Sequence, residues 1–138
     1  MTEVLKLRGK VGWWSAYRSH SRREPLGRWG EWVALGHLLT RRWDVLARNW
    51  TSGRGELDLV AFDNGTLVII EVKTRRHNPS LPLPEEQVGR KKEAQLEGLA
   101  FQFASRYELE DCPIRFDLTA IETENGREYE LRHYFGFM

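Results

Sequence analysis

A chain of 138 residues has the length of one compact domain and leaves little room for a second. Hydrophobic residues at 41% and charged residues at 30% permit a packed core and argue against wholesale disorder, while a net charge of +1 is too balanced to indicate nucleic acid by itself. The lone Cys112 excludes an intramolecular disulfide and a thiolate metal cluster, and the short apolar runs exclude a membrane span and a signal-peptide core. His20, His37, His77 and His133 show no zinc-type spacing. The expectation is a cytoplasmic enzyme or binding protein.

The charge is unevenly placed. Residues 1–28 carry seven cations against two anions, a net +5, which leaves −4 for the remainder. Residues 1–26 interleave those cations with Trp13, Trp14 and Tyr17 and show no periodicity. They read as a basic N-terminal extension: either a loosely docked terminus or an element that stacks on bases and neutralises phosphates. A single domain is expected over 27–138.

From Gly27 the spacing of Trp32, Leu35, Leu38 and Leu39 predicts a helix with Glu31 in its first turn. Asp44–Trp50 predicts a strand, and Glu56–Phe62 with Leu67–Lys73 predict the arms of a hairpin. Asn64-Gly65 between them is the dipeptide that accepts positive φ at both turn positions. A Pro-containing loop leads to a helix from about Glu85 to Tyr107, striped by Val88, Leu96, Leu99 and Phe103. Strands are predicted at Ile114–Ile121 and Tyr129–Phe137. The order α-β-β-β-α-β-β implies an α/β fold, a mixed sheet with a central hairpin flanked by helices, and a right-handed crossover into a parallel strand.

A two-residue turn makes opposed positions sum to 129, so Asp58 faces Glu71 and Glu56 faces Lys73. Alternation then puts these four on one face and Leu57, Leu59, Ala61, Val68, Ile70 and Val72 on the other, as core. Glu56 and Lys73 read either as an ordinary cross-strand ion pair or as support for a site. Asp58 against Glu71 is different, because opposed like charges destabilise a sheet. Either one is protonated or a cation lies between them. Oxygen-only ligands favour a hard ion, Mg²⁺ or Mn²⁺, and Lys73 brings an ammonium to the same rim. Such a set suits phosphodiester hydrolysis.

The pattern Asp58…Glu71-Val72-Lys73 on a hairpin resembles the PD-(D/E)XK nuclease core, the restriction-endonuclease-like superfamily that includes archaeal Holliday-junction resolvases. The motif's proline is absent, Leu57 standing before Asp58. Gly27-Arg-Trp-Gly30-Glu31, Arg48-Asn49-Trp50, Gly55-Glu56-Leu57-Asp58, Glu71-Val-Lys-Thr-Arg75, Val88…Lys92…Leu96 and Arg115-Phe116-Asp117, in that order, resemble the bacterial YraN family of uncharacterised nuclease-like proteins. The resemblance covers about 27–138. It implies that Asp58 and Glu71 are metal ligands, with the Val72 carbonyl a third, and that Lys73 is the catalytic lysine. It makes Glu31 the helix glutamate that completes the acidic cluster, against the plainer reading of a first-turn acid favoured by the helix dipole. Lys92 interrupts the apolar row of its helix. It either snorkels or points over the sheet to bind nucleic acid, with Gln87 adjacent and Arg75 as a phosphate contact. Arg115 and Asp117 share a face and can pair with each other. Asn49 matches the family series without an assignable role.

Three functions follow as expectations. The first is a Mg²⁺- or Mn²⁺-dependent nuclease acting on DNA, branched or structured DNA included. The second is a nucleic-acid-binding module of the same fold without turnover. The third is an interaction protein whose acidic face meets a basic partner, with Tyr129–Phe137 as the edge of a homodimer.

Overall fold

The computed structural model describes residues 3–10, 26–53 and 55–138. Its hairpin is the one that Asn64-Gly65 predicts. Both residues take positive φ (50° and 87°), and rungs run Asp63–Thr66, Phe62–Leu67, Ala61–Val68, Val60–Ile69 and Leu59–Ile70, each summing to 129. These arms, β3 (Gly55–Asp63) and β4 (Thr66–Arg76), lie in a six-stranded sheet with β1 (Glu3–Lys10), β2 (Asp44–Ser52), β5 (Ile114–Thr123) and β6 (Glu128–Phe135). The order across the sheet is β1-β6-β5-β4-β3-β2. Only β4 and β5 run parallel, and the crossover that a parallel pair requires contains α2 (Arg90–Arg106). This is the α/β architecture expected, a mixed sheet with helices on it.

The sheet is covered on both faces. α1 (Leu26–Thr40) packs Trp29, Val33, Ala34 and Leu38 on Leu59, Ala61, Val68 and Ile70. α2 packs Leu96, Leu99, Ala100 and Phe103 on Leu57, Val60, Leu67 and Ile69. The sequence pattern marked only one face as core; Val60, Leu67 and Ile69 are equally buried because a central strand between two helices has no solvent side. The buried stripe of α1 is also displaced from the expected one. Trp29, Val33 and His37 go inside while Leu39 is 58% exposed.

Two further boundaries differ from the expectation. Pro84, Glu85 and Glu86 look like a helix start, but they close only a 3₁₀ turn (Pro84–Gln87), with Glu86 accepting from the Leu83 N–H. Val88 and Gly89 are extended, and α2 begins at Arg90, so Val88 is not in the helical row with Lys92 and Leu96. The second difference is β1. Part of the basic extension zips antiparallel onto β6, from Glu3–Phe135 to Lys10–Glu128. Paired with both β1 and β5, β6 is not a free edge for a second copy. Trp13, Trp14 and Tyr17 lie outside the described residues. Among those described, no helix is long and apolar enough to cross a membrane.

Candidate functional site

The β3–β4 ladder stops at Leu59–Ile70, one rung short of the two acids. Beyond it β3 follows β2 (Trp50–Leu57, Thr51–Glu56) and β4 follows β5 (Glu71–Leu118, Lys73–Ala120). The strands part, and the Asp58 side chain occupies the opening. Its Oδ2 accepts the Val72 N–H at 2.9 Å, a donor no longer used by a rung. Alternation also breaks here: Leu59 belongs to the core under α1 and Leu57 to the core under α2. Beside the break Asn49 of β2 has a left-handed φ of 48°. Asp58 and Glu71 are therefore neighbours across a gap rather than partners across a rung.

Helix α1 delivers a third acid. Gly30 lies so close to β4 that a Cβ built on it would fall 1.7 Å from Thr74 Oγ1. That approach brings the next residue, Glu31, to the opening, where Glu31, Glu56 and Asp58 each offer a carboxylate oxygen within 4.8 Å of the others. Glu56 stands in this cluster, whereas Lys73, its expected partner, lies 3.6 Å from Glu71 Oε1. Lys92 reaches the same oxygen from α2, at 3.5 Å. Glu71 is buried, and its other oxygen, Oε2, has no hydrogen-bond partner.

Burial pushes the Asp58 carboxyl up to about 7, helped by the charge of Glu71 and opposed by the Val72 N–H. Glu31 is also raised, first by burial, against the hydrogen bond from Asn49. Hard oxygen donors crowded until one resists ionising, beside an orphaned buried carboxylate oxygen, fit a Mg²⁺- or Mn²⁺-type cation.

Among the residues predicted for the site, Glu31, Glu56, Asp58, Glu71, Lys73 and Lys92 come together, and Val72 joins through its amide. Arg75 does not join them. Its guanidinium is held by the Pro82 carbonyl and by Glu122 Oε2 at 3.4 Å. Gln87 is exposed at the end of the 3₁₀ turn. Arg115 pairs with Asp117 at 2.8 Å and also with Asp63 at 3.1 Å. Sequence reasoning left Asn49 without a role. Its side-chain amide lies 2.9 Å from both Glu31 Oε2 and Glu56 Oε1, which requires the NH₂ to face them. The available signal was an asparagine within a strand pattern, a residue that tolerates left-handed backbone.

Comparison with known proteins places the chain in a family. The family model described as "Uncharacterised protein family UPF0102" matches residues 30–121, a span that holds the whole cluster. A UPF0102 protein of Roseiflexus castenholzii is 38% identical over 115 residues, covering 81% of this chain and 91% of that protein. One of Acidothermus cellulolyticus is 43% identical over 111 residues, covering 73% and 83%. One of Oleidesulfovibrio alaskensis is 42% identical over 98 residues, 71% of this chain, and the match spans only 48% of that relative's length. With more than half its length inside the family match, the chain belongs to the uncharacterised protein family UPF0102, the YraN family.

Proposed function

We propose that this protein is a divalent-metal-dependent nuclease that hydrolyses phosphodiester bonds in DNA, including branched or structured DNA. The observation that carries the reading is the parting of β3 and β4, which gathers Asp58, Glu56 and Glu31 beside Glu71 with its unpartnered oxygen. Asp58, Glu71 and Glu31 would hold the ion, with the Val72 carbonyl as a further donor. When bound, the ion supplies electrostatic stabilisation of a phosphoryl oxygen.

The chain's own residues do the rest. Lys73 and Lys92 each keep about a third of the side chain exposed while anchored on Glu71, so an ammonium can turn from the carboxylate to a phosphate. Such a fixed cation neutralises charge that develops in the transition state, with little reorganisation. Burial of Glu71 keeps its carboxylate aimed at the opening rather than at bulk water. The test is cleavage of linear, single-stranded, flapped and four-way DNA with Mg²⁺ or Mn²⁺, beside Asp58→Ala. Metal-dependent cleavage lost in the variant supports the proposal.

A second reading has one observation in its favour. Two ammoniums already face Glu71 Oε1, so the site balances much of its charge without a metal. On that reading the chain is a nucleic-acid-binding module of nuclease fold. Binding of the same panel with no metal-dependent cleavage would make it the better account.

A further inference from the structure

We propose that Asn49 is the positioning residue of the acidic cluster, its side-chain amide tying Glu31 of α1 to Glu56 of β3 so that both carboxylates face one divalent cation. This rests on reading the cluster as a cation site. The amide has two N–H donors, and with the NH₂ turned toward the acids it reaches one oxygen of each glutamate at 2.9 Å. Each carboxylate has a second oxygen that this amide does not engage. The two acids come from different elements, and the charge of Glu56 opposes that of Glu31. The Arg28 and Arg48 charges also favour the ionised Glu31, and Asn49 adds a directional hydrogen bond.

The backbone supports the same role. Asn49 has a φ of 48°, and it falls with Asp58 in the gap of the β2–β3 register between the pairs Arg48–Leu59 and Trp50–Leu57. Alternation in β2 breaks at this point, where Arg48 and Asn49 are both exposed in succession. The left-handed step is where the chain departs from alternation, and asparagine accepts the conformation more readily than most residues. The kink in β2 and the polar tip of Asn49 together deliver a donor to the exposed rim of the cluster.

The experiment uses the full chain and two readouts. In the metal-free protein, the Asn49 side-chain NH₂ resonances should shift in Glu31→Gln and again in Glu56→Gln. Signals unmoved by both changes overturn the proposal. Asn49→Gly tolerates the left-handed backbone and lacks the amide, so it should keep its fold by circular dichroism. It should bind Mn²⁺ about 10–100-fold more weakly, the scale for losing a group that orients metal ligands. Unchanged Mn²⁺ affinity in Asn49→Gly beside a wild type that binds would overturn the role of Asn49 while leaving the cation site standing. A wild type that takes up no Mn²⁺ would overturn the cation reading itself, and the amide signals alone would then decide whether the clamp exists.

Discussion

Replacing Gly30 by alanine should disturb stability and the acidic cluster together, because one close contact positions both. The added Cβ would lie 1.7 Å from Thr74 Oγ1, 2.7 Å from its Cβ and 2.8 Å from its Cγ2. Rotating Thr74 can empty the tightest position, but its two heavy branches on three staggered positions always leave one atom against the new methyl, and the Cβ clash stays because a Cβ is fixed to the backbone. Ordinary contact between such carbons lies at roughly 3.5–4 Å, so α1 and β4 must separate by about 1 Å even after the best rotamer change. Overpacking of this kind costs about 1–3 kcal/mol. In a chain of this size each kcal/mol lowers Tm by a few degrees.

The same displacement carries Glu31 away from Glu56 and Asp58, so Mn²⁺ affinity should fall along with Tm. Thermal unfolding of metal-free Gly30→Ala, with an Mn²⁺ titration on the folded variant, measures both. The double variant Gly30→Ala/Thr74→Gly removes the opposing atoms, so it should be less destabilised than the sum of its single changes and should recover metal affinity. A Gly30→Ala protein within 0.5 kcal/mol of wild type (the usual spread of surface substitutions, about ±0.5) and with intact Mn²⁺ binding would refute the reasoning.

Burial and Glu71 hold the Asp58 carboxyl near 7 against an ordinary 3.8, so its stabilising contribution is complete below the ordinary value and is lost as pH rises through 7. Metal-free Asp58→Asn should therefore gain on wild type in urea between about pH 4 and pH 8, by at most on the order of 3–4 kcal/mol; parallel pH profiles would count against it. Lys73→Ala and the bulkier Lys73→Met should each lower turnover by ~10²-fold or more with much smaller changes in DNA affinity, and lost affinity with undiminished single-turnover cleavage would reduce Lys73 to a phosphate contact. Arg132 is buried between Glu85, Glu122 and Glu130 at 2.6, 2.6 and 2.8 Å. Arg132→Met should cost about 3–5 kcal/mol in denaturant at neutral pH, because it takes the buried cation from Glu85 and leaves Glu122 to Arg75 and His77, and a loss below 1 kcal/mol would mean that the network is relaxed by solvent.

What the sequence determined by itself is what depends on near neighbours. Asn64-Gly65 sets the turn because both residues accept positive φ, and the turn sets the register as far as Leu59–Ile70. Period-2 and helical spacing then place Asp58, Glu71 and Lys73 near one another, and the motif series points to the family. What the tertiary structure decided depends on partners remote in the chain. The ladder ends where β2 and β5 draw β3 and β4 apart, so Asp58 bonds an amide instead of facing a rung. Lys92 meets Glu71 only because α2 lies on that face, and Arg75 is withdrawn by Glu122 of β5. Asn49 is unremarkable in β2 until α1 brings Glu31 against it. β1 has no periodicity of its own and is recognisable as a strand through its pairing with β6. The physical reason is the same in each case: local propensity fixes φ and ψ within a few residues, whereas a carboxylate's partner is fixed by which surfaces bury each other.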